Sequence, residues 1–130
     1  MIRAVLLDLS GVVYDGDTPI PGAVEAIARL RDAGLPIRFV SNTTRSPRQA
    51  IVAQLDGLGI AVSDDELLTP ANAAVAWLTA HGCSPHLLVH PDLEPEFSGV
   101  QEGGLKAVVV GDAAEAFGYT AMNAAFRQLV

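Results

Sequence analysis

The chain has 130 residues, of which 50% are hydrophobic, and 15 acidic side chains outnumber 8 basic ones to give a net charge of -7. This length fits one ordinary domain, or one small domain with part of a second, and can bury a core. The acidic balance excludes a nucleic-acid-binding surface, and the short apolar runs exclude a membrane span. A single cysteine, Cys83, excludes an internal disulfide, so we expect a globular, cytoplasmic protein.

The first half of the chain alternates between predicted strands and helices. The apolar run RAVLLDL (3–9) predicts a parallel strand buried on both faces. Residues 21–34 predict a helix with Pro21 in its first turn. A second strand is predicted at 35–40, and a second helix at 46–59 with a serine N-cap and a terminal glycine. This order indicates a right-handed parallel α/β unit.

The same kind of alternation restarts at Thr69. A threonine, a proline and a terminal glycine again mark a helix, and two further apolar runs predict strands. The predicted elements are a helix at 69–82, a strand at 86–90, a short helix or turn at 93–99, a strand at 105–112 and a helix from 120 onward. The last helix has no capping signal, which indicates a fragment of a longer protein.

Polar side chains follow both strands of the first half. Asp8 ends the first strand, and Ser41 and Asn42 follow the second. In open parallel sheets, ligands bind beyond the carboxyl ends of the strands, so these groups are expected to share one crevice. A carboxylate there can attack phosphorus, and Mg²⁺ would let it approach an anionic phosphate. The alternative is that Asp8 is a cap and SNTT an ordinary polar loop.

The stretch AVLLDLSGVVYDGDTPIPGAVEAIARLRDAGLPIRFVSNTTRSPR (4–48) resembles the start of a haloacid dehalogenase (HAD) superfamily phosphatase whose cap is inserted after the second motif. It is most similar to the group acting on phospholysine, phosphohistidine and pyrophosphate, and residues 108–129 resemble a cap segment. The resemblance implies an α/β fold with a parallel-sheet, Rossmann-like core at 1–68 and an inserted α/β cap at 69–130, both incomplete. It also implies a Mg²⁺-dependent hydrolase of small phosphorylated compounds, phosphoramidates or pyrophosphate that forms an aspartyl-phosphate, and a homodimer through the cap.

The resemblance assigns roles to five residues. Asp8 matches the nucleophile and a Mg²⁺ ligand. Ser10 takes the place where most members have an aspartate that acts as general acid/base, and its carbonyl matches a second Mg²⁺ ligand. Ser41 matches the phosphate-binding hydroxyl, with Asn42 and Thr43 beside it. A serine hydroxyl is a poor proton donor near neutral pH, so substrates with good leaving groups would suffer least.

Two elements of the family pattern are missing. Lys106 opens a strand instead of preceding a helix, which makes it a poor substitute for the family's lysine. Asp112 imitates a metal-binding GD motif, but its surroundings match the cap better. We therefore expect this chain alone to be nearly inactive. The alternative function is a catalytically silent HAD-like binding domain or an inactive truncated fragment.

Some other residues favour structural roles. Asp15 and Gly16 predict the tip of a small hairpin, with a plain surface turn as the alternative. Trp77 is expected to pack in the core or within the cap and not to act as a stacking platform, and Cys83 is expected to be a loop or half-buried thiol. The three histidines lack the spacing of a metal cluster.

Overall fold

The computed structural model describes all 130 residues, and none of its helices has the length and apolar character needed to span a membrane. The chain divides into two compact units. Unit 1 comprises Met1–Asn42 and Arg48–Thr69, and unit 2 comprises Thr43–Pro47 and Pro70–Val130. The assignment of the two parts of the chain to a core and a cap stays a prediction.

Unit 1 is built around a parallel three-stranded sheet. Its elements are β1 (Val5–Asp8), β2 (Tyr14–Asp15), β3 (Thr18–Pro19), α1 (Ala23–Asp32), β4 (Ile37–Val40), α2 (Arg48–Gly57) and β5 (Leu67–Leu68). In the sheet β4 lies between β1 and β5, while β2 and β3 form a separate antiparallel hairpin. The two-residue strand β5 is absent from the sequence-based prediction.

The sheet of unit 1 is packed on one face. Phe39 of β4 is fully buried among apolar side chains of α1 and α2, including Ile27 and Leu55. Side chains alternate between the two faces of a strand, so Leu6 of β1 lies on the other face and is 70% exposed. In this chain the first strand is therefore covered on one face only, which differs from the prediction of burial on both faces.

Helix α1 starts later than its proline suggests. Its N-cap is Gly22, whose φ of 82° lies in the left-handed region that glycine adopts most readily. Pro21 thus lies before the helix and not in its first turn, which corrects the sequence-based prediction. The helix continues to Asp32, and Gly34 follows with a φ of 71°, as expected for a terminating glycine.

Unit 2 contains a second, two-stranded parallel sheet. Its elements are α3 (Pro70–His81), β6 (Cys83–Leu88), a 3₁₀ helix (Pro91–Phe97), β7 (Leu105–Val110), a short 3₁₀ turn (Ala114–Ala116) and α4 (Tyr119–Phe126). The strands β6 and β7 pair over six residues each. One apolar cluster joins α3, the 3₁₀ helix and both strands, and a smaller one joins the strands to α4.

Strand β6 begins earlier than the apolar run suggests, and its early start changes the expectation for Cys83. Cys83 pairs with Leu105 at the start of the strand and is buried in the same apolar cluster as Leu78 of α3. It is therefore a buried strand residue, not a loop or half-buried thiol.

Trp77 of α3 also departs from the prediction of a packed side chain, because it is 52% exposed and its ring stacks on His81 at a centroid distance of 4.1 Å.

Candidate active site

The strands β1 and β4 of unit 1 end side by side. Asp8, the last residue of β1, pairs with Val40, the last residue of β4. Ser41 follows at once, is buried, and donates its amide to the carbonyl of Leu68 at 2.9 Å. The carboxylate of Asp8 is exposed, and its Oδ1 accepts the amide of Leu9 at 2.8 Å. A carboxylate and a hydroxyl-bearing residue therefore lie at the carboxyl edge of one sheet.

A tight turn follows Asp8 and fixes the position of Ser10. The carbonyl of Leu9 accepts amides of residues 12–14 at 2.8–3.2 Å. The amide of Gly11 donates to the carbonyl of Tyr14 at 2.7 Å, and Gly11 has a φ of 78°. Ser10 forms a backbone bridge with Tyr14 and remains exposed. The turn thus presents Ser10 to solvent two residues beyond Asp8.

The predicted hairpin after this turn is confirmed. Tyr14–Asp15 pairs antiparallel with Thr18–Pro19, and Gly16 at the tip has a φ of 55°. Gln54 of α2 donates its side-chain amide to the carbonyl of Gly16 at 2.8 Å, which ties the tip to the helix. Burial, and then the negative charge of Asp8, raise the pKa of the Tyr14 phenol above its ordinary value of 10.0. The phenol therefore lies within electrostatic range of the Asp8 carboxylate.

The five residues that the resemblance selects do not all fall in one unit. Asp8, Ser10, Ser41 and Asn42 belong to unit 1, and Thr43 belongs to unit 2. Asn42 is exposed. The hydroxyl oxygen of Thr43 accepts the amides of residues 45 and 46 at 3.3 and 3.4 Å, which closes a turn. The catalytic, phosphate-binding and metal-binding roles of these residues stay predictions.

A contact in unit 2 joins two segments that are far apart in the sequence. The amide of Asp112 donates to Thr44 Oγ1 at 3.0 Å. One carboxylate oxygen of Asp112 accepts the amide of Ala114 at 2.9 Å, and the other lies 3.7 Å from a guanidinium nitrogen of Arg45. Sequence analysis missed this cluster, because nothing in the local pattern links residues 68 positions apart. Lys106 lies elsewhere, exposed on β7 opposite Ser84.

The arginine at the start of α2 has a structural role. Arg48 donates to the carbonyl of Leu67 at 2.8 Å and to the carbonyl of Asp64 at 2.7 Å, and its side chain is 19% exposed. It therefore holds the segment before and within β5 in place. Nearby, Glu66 accepts from Arg31 at 2.9 Å and from the amide of Ser63 at 3.0 Å.

Comparison with known proteins gives matches along the whole chain. The haloacid dehalogenase-like hydrolase family matches residues 5–103. The phospholysine phosphohistidine inorganic pyrophosphate phosphatases of Xenopus laevis and Danio rerio are 42% and 44% identical, over 99% of this chain and 50% and 49% of those proteins. Haloacid dehalogenase-like hydrolase domain-containing protein 2 of Homo sapiens is 43% identical over 99% of this chain and 50% of its own length. The chain thus spans about half the length of the curated relatives it matches.

Solved structures show the same architecture. The 4-nitrophenylphosphatase of Thermotoga maritima superposes with a TM-score of 0.84 at 24% identity, over 98% of this chain and 51% of that one. A glycerol phosphate phosphatase of Mycobacterium tuberculosis, in complex with magnesium, gives a TM-score of 0.77 at 24% identity, over 98% and 41%. The predicted α/β fold with parallel sheets is confirmed. Since the family match covers most of the chain, the chain belongs to the haloacid dehalogenase-like hydrolase family.

Proposed function

We propose that the protein carrying this chain is a Mg²⁺-dependent phosphatase that acts on a small phosphorylated compound, a phosphoramidate or pyrophosphate. The observation that carries the proposal is the position of Asp8, an exposed carboxylate paired with the residue just before Ser41. Ligands of open parallel sheets bind at such strand ends. The 42% to 44% identity to phospholysine phosphohistidine inorganic pyrophosphate phosphatases supports the substrate class.

The reaction proceeds in two displacements at phosphorus. A carboxylate oxygen of Asp8 attacks the phosphorus, the bond from phosphorus to the leaving oxygen or nitrogen breaks, and the leaving group keeps the electron pair. It departs as a phosphate ion from pyrophosphate, or as an amine from a phosphoramidate whose nitrogen already carries the proton. Water then attacks the phosphorus of the aspartyl-phosphate, releases inorganic phosphate and restores the Asp8 carboxylate. The Ser41 hydroxyl and the amides of Asn42 and Thr43 would hold the phosphate oxygens.

This chain supplies some of the oxygen ligands that a hard divalent cation requires. The exposed Asp8 carboxylate and the backbone carbonyl of Ser10 are oxygen ligands of the kind that Mg²⁺ prefers. The chain gathers no group of three or more His, Cys, Asp or Glu that could hold a metal ion, so these two oxygens would supply part of a coordination shell. When bound, Mg²⁺ supplies the positive charge that offsets the repulsion between the carboxylate and the phosphate.

The serine at position 10 favours leaving groups that need little protonation by a general acid. A hydroxyl has a pKa far from neutral and is a weak general acid. Loss of a phosphate from pyrophosphate, or of an amine from a phosphoramidate that is already protonated in solution, depends less on such an acid than loss of an alkoxide. Ser10 therefore fits the same substrate class as the relatives named above.

Replacement of Asp8 tests the proposal. In the complete protein, Asp8→Asn keeps the shape but removes the nucleophile, so turnover of pyrophosphate and 4-nitrophenyl phosphate with Mg²⁺ should fall at least about a hundredfold. Asp56→Asn, at an exposed carboxylate on α2, is the matched control and should keep the parent rate. Parent-like turnover by Asp8→Asn would overturn the assignment. A parent protein without Mg²⁺-dependent turnover would instead favour the silent binding domain.

A further inference from the structure

The backbone of Tyr14 is held against the turn that follows Asp8. The amide of Tyr14 donates to the carbonyl of Leu9 at 3.2 Å, and its carbonyl accepts the amide of Gly11 at 2.7 Å. Tyr14 also forms a backbone bridge with Ser10. Since Leu9 directly follows Asp8, these contacts keep the Cα atoms of Tyr14 and Asp8 within about 11 Å of each other. The Tyr14 side chain therefore starts close to the candidate nucleophile.

The ring of Tyr14 is held by packing. The side chain is half-buried and packs against the apolar core cluster of unit 1 that includes Leu9. Tyr14 pairs with Pro19 across the hairpin, and Gln54 of α2 ties the tip of the hairpin at the carbonyl of Gly16. A ring held in this way presents its hydroxyl at a defined place, so a ligand that binds the hydroxyl orders few additional groups.

The hydroxyl of Tyr14 is free to donate a hydrogen bond to a bound ligand. It forms no hydrogen bond within the chain, and Oδ1 of Asp8 accepts the amide of Leu9. Burial, and then the negative charge of Asp8, raise the pKa of the phenol, so it keeps its proton at neutral pH. A protonated donor therefore lies near the candidate nucleophile without being bonded to it.

The group that lies next to Asp8 in the proposed reaction is a phosphoryl group. Reacting atoms approach to about 3–3.5 Å before a bond forms, so the phosphoryl oxygens lie in the immediate surroundings of the carboxylate. These oxygens are anionic acceptors, and a hydrogen bond to an ionised acceptor is roughly twice as strong as one between neutral groups. A phosphoryl oxygen is therefore the acceptor that best fits the unpaired phenol.

We propose that Tyr14 is a phosphate-binding residue of the Asp8 site, whose hydroxyl donates a hydrogen bond to an oxygen of the phosphoryl group that Asp8 accepts. This inference rests on the proposed function. The phenol keeps its proton in both displacements, so it binds the phosphoryl group and takes no part in proton transfer. Because the transferred phosphoryl group is common to all substrates and resembles the inorganic phosphate product, the contact does not depend on the leaving group.

Replacement of the hydroxyl alone tests this role. In the complete protein, Tyr14→Phe keeps the packed ring, so a purely structural role of the residue would leave binding unchanged. The proposal predicts that the KM for pyrophosphate, the KM for 4-nitrophenyl phosphate and the inhibition constant of inorganic phosphate all rise about tenfold. Because the contact is made in the ground state and in the transition state, kcat should stay within about threefold.

The matched control is the same substitution at the other tyrosine of the chain. Tyr119 lies at the start of α4 in unit 2 and is 85% exposed. Tyr119→Phe should leave both KM values and the inhibition constant of phosphate unchanged.

A second measurement detects the contact without turnover. In the complete protein labelled with 3-fluorotyrosine, the ¹⁹F NMR signal of Tyr14 is identified by its loss in Tyr14→Phe. This signal should shift when inorganic phosphate is added in the presence of Mg²⁺, whereas the signal of Tyr119 should not. Because the labelled parent retains the hydroxyl, the titration tests the proposal even if Tyr14→Phe lowers the thermal midpoint.

The possible results separate this inference from the proposed function. Unchanged KM and inhibition constants in Tyr14→Phe, or a Tyr14 signal that phosphate does not move, would overturn the role of Tyr14. So would a rise confined to one substrate, because it would place the hydroxyl at the leaving group. These results leave the proposed function intact if Asp8→Asn is inactive. A parent protein that neither hydrolyses phosphate compounds nor binds inorganic phosphate would overturn both.

Discussion

Asp8 lies directly opposite Val40 in the parallel pairing of β1 with β4, so Ser41 is the first residue beyond the partner of Asp8. The amide of Ser41 also donates to Leu68 of β5, and all three strands therefore end at one edge of the sheet. This arrangement explains why an apolar strand ends in a carboxylate. The buried residues form the sheet, and the polar ones follow where the sheet meets solvent.

Replacing Ser10 by aspartate should add the missing general acid. Ser10→Asp is expected to raise kcat on an alkyl phosphate about tenfold or more, and to change kcat on 4-nitrophenyl phosphate much less, because nitrophenolate leaves without a proton. Steady-state rates on both substrates in the complete protein would measure the contrast. An equal change on both would mean that position 10 affects metal or phosphate binding and not proton transfer.

The fold of unit 1 was largely predictable from the sequence because its signals are local. Apolar runs, a terminating glycine and the Asp15–Gly16 turn predict β1, β4, α1 and the hairpin. The exposure of Leu6 was not predictable, since a continuous apolar run does not reveal which face of the strand the helices cover. Strand β5 has two residues and is defined by its pairing with β4 alone.

The titration of Tyr14 reports on the distance between its phenol and Asp8. Burial raises the pKa of Tyr14, and the Asp8 carboxylate raises it further. The folded state therefore keeps a proton that the unfolded state loses, and stability should fall as pH rises above 10.0. Asp8→Asn removes the charge but not the burial, so the pKa of Tyr14 should decrease part of the way toward its ordinary value.

Ultraviolet or NMR titration measures this shift. The Tyr14→Phe variant identifies the signal of Tyr14, because the sequence has two tyrosines. Identical titration curves for Tyr14 in the parent and in Asp8→Asn would show that the phenol lies outside the influence of the carboxylate.

A close backbone approach in unit 2 makes Gly104 sensitive to substitution. Its φ is 74°, and a Cβ there would lie 2.5 Å from the carbonyl oxygen of Gly82. Gly104→Ala should therefore lower the free energy of unfolding by about 2–4 kcal/mol, from left-handed backbone strain and a steric clash. Gly99→Ala is the control, because a Cβ at Gly99 meets no atom within 4 Å. Urea unfolding measures both, and equal losses would contradict the predicted clash.

The candidate site was only partly predictable. Asp8 and Ser41 stand out because each follows an apolar run, and parallel pairing brings such ends together. The contact of Thr44 and Arg45 with Asp112 was not predictable, because it depends on how the carboxyl end of β7 packs against a loop far back in the sequence. Strand-pairing rules predict which strand ends lie side by side at the edge of a sheet. They do not predict which loop from a distant part of the sequence packs against a strand end.

The most direct test of Asp8 as the phosphoryl acceptor is the binding of beryllofluoride, which mimics an aspartyl-phosphate. In ¹⁹F NMR of the complete protein, the account predicts Mg²⁺-dependent bound fluoride signals at one equivalent per chain, present in the parent and in Asp56→Asn and absent in Asp8→Asn. Bound signals of the same intensity in Asp8→Asn would contradict the account, as would their absence from a parent protein that is an active phosphatase.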